Sequence, residues 1–376
     1  MYSTSQAKLP QILILHAYSP NNSGDGLLVE LAKKIVLEAL GEVEFRICAS
    51  DAESFGGPEY LQWSTPYKGI NSFVGRRAAM LLTVFLGPNK EVKQIARQAD
   101  LIVAVGGGYL RGGNISAAVK SWGAHFGQLK MAAKYGHKSV YLSQSIGPFH
   151  GIYKKAVTKN LGKISAVFVR DDRSAREYKL AAVRRAPDMA VLELASLSIQ
   201  PEQTLSELPP VMVAREIVGP RNYYKFLQEA SDSKHFEWAL QSTGGANDDY
   251  ALTKRSGGSE PHKLKTILEQ NDPRIVVSTR LHGALSSLIA GYPAIHLSYE
   301  RKGWGAYEDL GLDEFVVNAR DVTLPDVQRL MEKIIRDPGA FWDRILEKRP
   351  QILENYNQIL ATLQDISRDG RETTGK

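Results

Sequence analysis

Cysteine is nearly missing from this chain of 376 residues, which has only Cys48. A single thiol closes no internal disulfide and builds no thiolate metal cage, so a reducing cytoplasm is the expected setting, with Cys48 a small buried hydrophobe. Long apolar runs are missing too. The most apolar window, residues 78–86, is about half the ~20 residues that a membrane helix needs. The opening residues, MYSTSQAKLP, have no charged stretch followed by an apolar one, so no export signal is expected. The eight histidines show no i, i+3 or i, i+4 pairing and no accompanying carboxylate cluster, and no metal site is expected. Dense Lys/Arg runs interleaved with aromatics are lacking; Arg76-Arg77, Arg184-Arg185 and Arg301-Lys302 come nearest, and nucleic acid is set aside as a partner.

What is present is an ordinary globular composition, 43% hydrophobic and 23% charged. The length exceeds what one core sustains, so two lobes with a ligand cleft between them are expected. A net charge of +6 favours anionic partners without naming one.

The N-terminal half alternates apolar runs of strand length with helical periodicity. Strands are read at 12–15, 43–48, 101–105, 139–142 and 166–169, and Leu27, Leu28, Leu31, Ile35 and Ala39 form one helical face. A Pro-containing stretch at 196–210 reads as a linker. The pattern restarts with strands at 211–214, 236–240, 275–277, 294–297 and 315–317. The division expected is an N-terminal Rossmann-like lobe, 1–198, a C-terminal Rossmann-like lobe, 206–340, an amphipathic helix, 341–368, and a frayed tail, 369–376. The fold class is α/β and GT-B-like, two Rossmann-like lobes with parallel sheets facing across a cleft.

Polar motifs gather where strands end, the ligand edge of a doubly wound sheet. Asn21-Asn22-Ser23-Gly24-Asp25-Gly26 follows the first strand and opens a helix, which suits an anion, although Asp25 as a plain helix cap fits equally well. Gly106-Gly107-Gly108-Tyr109-Leu110-Arg111-Gly112-Gly113 fails the dinucleotide spacing and reads as a ligand-approach loop or a flexible turn. Ser143-Gln144-Ser145-Ile146-Gly147-Pro148 and Arg170-Asp171-Asp172-Arg173-Ser174 end the next two strands. Arg170 can clamp a phosphate or carboxylate or sit in an exposed salt bridge, and Asp171 or Ser174 caps the next helix. Ser278-Thr279-Arg280-Leu281-His282-Gly283 puts Arg280 and His282 two apart, pointing one way if extended, with His282 either a proton donor or a helix cap. Tyr299-Glu300-Arg301-Lys302-Gly303-Trp304 offers a cation at Lys302 and a flat aromatic at Trp304.

In this order the segments 22–25, 106–108, 143–148, 170–174, 280–283 and 299–302 resemble the polysaccharide pyruvyl transferase family, over about 280 residues. The resemblance implies phosphoenolpyruvate as donor substrate, no further cofactor, and a cyclic ketal formed on two neighbouring hydroxyls of a sugar, the acceptor being a lipid-linked oligosaccharide. Arg170, Arg280, Lys302, Ser143 and Gln144 would hold the donor, His282 would be the acid and Asp25 the base from across the cleft. Asn22, Gly24, Gly107, Gly108, Tyr109 and Trp304 would serve the acceptor or a backbone anion loop.

Two other readings stay open. One is a nucleotide-sugar glycosyltransferase, for which Gly244-Gly245 with Asp248 and Asp249 imitate a ribose site; the other is a non-catalytic protein that binds an anionic saccharide. The segment 73–87 pairs Arg76-Arg77 with apolar residues and is either a buried helix or a peripheral contact with the cytoplasmic face of the inner membrane.

Overall fold

The computed structural model describes residues 8–63, 90–113, 121–199, 204–243, 248–257 and 260–374. Its first sheet holds β1 (Gln11–Ala17), β2 (Glu44–Ala49), β3 (Tyr60–Gln62), β4 (Leu101–Ala104), β5 (Gly107–Leu110), β6 (Ser139–Ile146), β7 (Ala166–Val169) and β8 (Val183–Arg185). The order is β3-β2-β1-β4-β6-β7-β8, with β5 beside β6. The second sheet holds β9 (Val211–Val213), β10 (Glu237–Leu240), β11 (His262–Lys263), β12 (Val276–Ser278), β13 (Ala294–Ser298) and β14 (Val316–Asn318), in the order β11-β10-β9-β12-β13-β14. Both are parallel and doubly wound, reversing direction between β1 and β4 and between β9 and β12. The central strands read as unbroken apolar runs because helices cover both faces: Ile12, Leu13, Ile14 and Leu15 are fully buried, as are Val211, Met212 and Val213.

Two compact units result. The first comprises Met1–Ser19, Leu28–Ala186 and Asn357–Lys376; the second comprises Pro20–Leu27 and Pro187–Tyr356. The break thus falls at Ala186, ahead of the expected linker, and Pro20–Leu27 with Asp25 is counted with the second unit.

Three expectations change. β6 runs on to Ile146, so Ser143 and Gln144 lie inside a strand, fully buried, rather than beyond its end. The glycine-rich segment is partly the strand β5, with Gly107 opposite Gln144 and Leu110 opposite Ile146. The last helix spans Pro338–Thr374 and so takes in residues 369–374 of the expected tail. The short strands β3, β8 and β11 carry no apolar run by which to find them. Residues 73–87, Gly244 and Gly245 lie outside the described residues. Among the described residues no helix is long and apolar enough to cross a membrane, and no three His, Cys, Asp or Glu side chains gather as a metal site.

Beyond β1 the first unit buries a polar cluster. His16 takes a left-handed backbone, φ 68°, and its N–H donates to Gln128 Oε1 at 2.7 Å. Its ring meets His125 through two Nδ1 atoms 3.2 Å apart and Tyr141 Oη at 2.9 Å, and stacks on Tyr109. The Nδ1 pair needs one proton, so the rings are neutral and of opposite role. Burial holds His125 down at about 4, and burial together with His125 holds His16 well below its ordinary value. In the unfolded chain each takes up a proton near pH 6.5. Stability is therefore complete above that pH and is lost as pH falls from about 6.5 toward 4. Urea unfolding at pH 7 and pH 5 should show a loss of about 2 kcal/mol per buried neutral histidine, with a correspondingly smaller loss in His125→Gln. Equal losses in the two proteins would contradict the assignment.

Candidate functional site

In the second unit the N-x-G-D turn is tied down by its backbone. Asn22 forms an antiparallel bridge with Ser242, Thr243 N–H donates to Asn21 O at 3.0 Å, and Asn22 O accepts from Asp25 N and Gly26 N. The capping role falls to Asn22, whose Oδ1 accepts from Gly24 N at 3.3 Å. Asn22 Nδ2 donates to Asp25 Oδ2 at 2.7 Å. Asp25 is thereby aimed rather than spent as a cap. Loss of water raises its proton affinity, against the pull of His282, Asn22, Lys302 and Arg280.

Gly24 explains why this motif needs its glycine. A Cβ there would stand 2.9 Å from His282 Cβ and 3.0 Å from its Nδ1. The start of the helix Ser23–Leu40 therefore lies directly on the imidazole.

The extended segment on which Arg280 and His282 would point one way ends at Arg280, because the helix Leu281–Ile289 begins between them. Arg280 is the last extended residue, 6% exposed, and its guanidinium grips Asp249 with two bonds, Nε to Oδ2 at 2.7 Å and Nη2 to Oδ1. The expected donor clamp thus has its fork engaged by a buried carboxylate. Ser278 brackets it, Oγ accepting from Arg280 N at 3.1 Å and donating to Arg280 O at 2.8 Å.

His282 sits in the first helical turn, its ring largely buried. Nε2 has no hydrogen-bond partner but stands 3.6 Å from Asp188 Oδ2, an ion-pair distance rather than a hydrogen bond. Asp188 is 1% exposed and caps the helix Met189–Ser196, accepting from Ala190 N at 2.9 Å. Asp188 and Asp249 had no motif to mark them as partners of His282 and Arg280. Three helix starts thus converge on one imidazole: Gly24 from the first, Asp188 from the second, His282 itself from the third. Each brings a partial positive charge.

Lys302, in the first turn of the helix Arg301–Asp309, pairs with Glu300 at 2.9 Å, and Trp304 is exposed. His296 is buried and held at about 4 by burial, its Nδ1 2.9 Å from Ser278 O.

The remaining expected residues belong to the first unit. Arg170, 5% exposed at the end of β7, donates through Nε to Ser145 Oγ at 3.0 Å, and a Cβ on Gly108 would meet its Nη2 at 3.2 Å. Asp171 caps the next helix, accepting from Ser174 N. The Ser143 hydroxyl and both Gln144 amide atoms are buried without hydrogen-bond partners in good geometry. Tyr109 donates to Val105 O at 2.9 Å, and burial pushes its phenol up.

Two doubly wound parallel sheets, with a histidine–carboxylate pair beyond the carboxyl end of one of them, define a GT-B-like α/β protein. The chain belongs to the polysaccharide pyruvyl transferase family, whose pattern matches residues 22–301. It is 34% identical over 85 residues to the amylovoran biosynthesis protein AmsJ of Erwinia amylovora, a match that takes in 23% of this chain and 16% of that protein's length. A UDP-glucosyltransferase from Polygonum tinctorium resembles it in fold at 10% identity, with a TM-score of 0.52 over 97% of this chain and 100% of the other. The forosaminyltransferase SpnP does so at 12% identity, with a TM-score of 0.50 over 96% and 99%.

Adding the missing methyl at Gly24 tests the packing. Gly24→Ala should displace the His282 ring, visible as a shift of its imidazole signals in a proton–carbon NMR spectrum while those of His16 and His125 stay in place. An unmoved His282 signal would show that the helix start does not press on the ring.

Proposed function

We propose that this chain transfers a pyruvyl group from phosphoenolpyruvate to two neighbouring hydroxyls of a sugar in a bacterial polysaccharide precursor, releasing phosphate. Membership of the pyruvyl transferase family supports the reaction class. The observation that carries the reading is the convergence of three helix starts and a buried carboxylate on His282. The donor is a trianion whose methylene must accept a proton, so its site needs an acid beside fixed positive potential.

His282, as imidazolium, gives its proton to C3, and the electron pair of the C2–C3 double bond forms the new C–H bond, leaving C2 cation-like. A sugar hydroxyl adds to C2 and its proton passes to Asp25, whose raised affinity suits a base. The C2–O bond to phosphate then breaks with its electrons on the phosphate. The second hydroxyl attacks C2, loses its proton to the departing phosphate, and closes the ketal. Asp188 acts as the positioning residue, its buried carboxylate standing 3.6 Å from Nε2 and orienting the ring. Lys302 and the helix starts meet the donor's charge, and Trp304 offers the sugar a flat face.

Arg280 contributes through the Asp249 pair that fixes the strand-to-helix turn. Arg170, Ser143 and Gln144 remain candidates for phosphate or hydroxyl contacts, with Gly107, Gly108 and Tyr109 beside them; Arg170→Lys tests this by the donor concentration it then needs. A lipid-linked oligosaccharide at the cytoplasmic face of the inner membrane is the acceptor we propose.

Phosphate release from phosphoenolpyruvate, measured over a panel of synthetic and lipid-linked sugars, checks the proposal. His282→Ala should keep its fold and lose at least ~100-fold in turnover. Asp188→Asn should lower turnover more than it alters the donor requirement. Activity is expected to survive EDTA. Wild-type turnover in folded His282→Ala, or hydrolysis of a nucleotide sugar in place of phosphoenolpyruvate, would overturn it.

A further inference from the structure

Residues 101–170 contain no Asp or Glu, although the chain's 41 acids in 376 residues would put seven or eight in a stretch of 70. The same stretch holds ten Lys and Arg. The other 306 residues carry 37 basic against 41 acidic side chains, so the whole positive charge of the protein originates here.

The fold gathers much of that charge on one surface. Two helices of the stretch, Gly127–Lys134 and Gly151–Leu161, cross from β4 and β5 to β6 and from β6 to β7. Both crossovers step the same way along the sheet, and right-handed connections put both helices on one face of it. Their inner sides, Leu129 with Ala132 and Val157 with Leu161, share one hydrophobic core. Their outer sides are therefore coplanar. On the first helix the only exposed positions are Lys130 and Lys134. On the second, Ile152, Lys155 and Lys159 recur at i, i+3 and i+7, one exposed stripe, and Lys163 follows it. At the margin Glu177 is already paired with Lys154 at 3.5 Å.

We propose that this face docks on a lipid bilayer carrying anionic headgroups. The inference does not rest on the chemistry proposed above. Lysine supplies all the exposed charge of the stripe, and a diffuse layer of headgroups suits mobile point charges, whereas paired recognition of bases or phosphates favours arginine forks. Ile152 stands 76% exposed at the N-terminal end of that lysine stripe. An exposed isoleucine is wasted on a soluble polyanion, but it enters the headgroup boundary when flanking lysines hold the face to the membrane. Two helices lying on a sheet present a broad face rather than a groove, which also fits a planar partner.

Co-sedimentation with vesicles of phosphatidylcholine alone and of phosphatidylcholine mixed with phosphatidylglycerol tests this on the full chain. Binding is expected to the mixed vesicles at low salt, to weaken as salt rises, and to be absent from the neutral ones. Each lysine is worth about fivefold in partition, so Lys155→Glu with Lys159→Glu should lower binding at least ~25-fold. Lys225→Glu with Lys265→Glu, a matched reversal where each lysine faces its own glutamate, should leave binding as it was. Ile152→Ser should weaken it severalfold, and circular dichroism and melting curves should match wild type in all variants. The proposal is overturned if wild type ignores anionic vesicles at low salt, if the Lys155/Lys159 variant binds no worse than the control pair, if Ile152→Ser changes nothing, or if immobilised heparin captures the protein while vesicles do not.

Discussion

The imidazole of His282 is confined where three helices begin, and the rest of the second unit is arranged to allow it. Helix starts repel one another through their exposed N–H groups, so bringing three to one ring requires something negative among them. Asp188 supplies it, buried and bonded to its own helix start, and Asp25 stands nearby with its proton affinity raised. The same arrangement makes the spot attractive to an external anion, because each helix start contributes a partial positive charge.

The Asp249–Arg280 pair is the second constraint. Removing one partner from a buried pair of this kind costs about 3–5 kcal/mol, since the other charge is left in a dry interior. The pair anchors the last residue before the helix Leu281–Ile289 and thereby fixes the direction in which His282 projects. Burial pushes Asp249 toward its protonated form, and the bidentate Arg280 fork opposes this most, with Arg215 and the Ser242 N–H beside it. A point charge in place of Arg280 would keep the attraction and lose the direction.

Much of this was legible in the sequence, for local reasons. Alternating apolar runs and helical periodicity gave both sheets, because central parallel strands are buried on both faces and cannot be polar. The family pattern, spread from Asn22 to Lys302, brought forward His282, Asp25 and Lys302, each beside a strand end. Asp188 escaped notice because Ala186-Pro187-Asp188-Met189 resembles an ordinary helix cap; only the tertiary fold carries its second oxygen to His282. The extended geometry assumed for Arg280 and His282 does not reach His282, since the helix begins at Leu281. Ser143 and Gln144 moved inside β6 because nothing in a polar pair tells a strand to continue when its neighbours supply the pairing.

Protonation of the donor methylene by the second unit's acid is the central claim, and isotope transfer measures it most directly. With phosphoenolpyruvate and an accepted sugar in deuterium oxide, the ketal product should carry solvent deuterium on its methyl group, and His282→Ala should form no such product. A pyruvylated sugar whose methyl group holds no deuterium, or a product bearing phosphate or a glycosyl unit instead, would contradict the account.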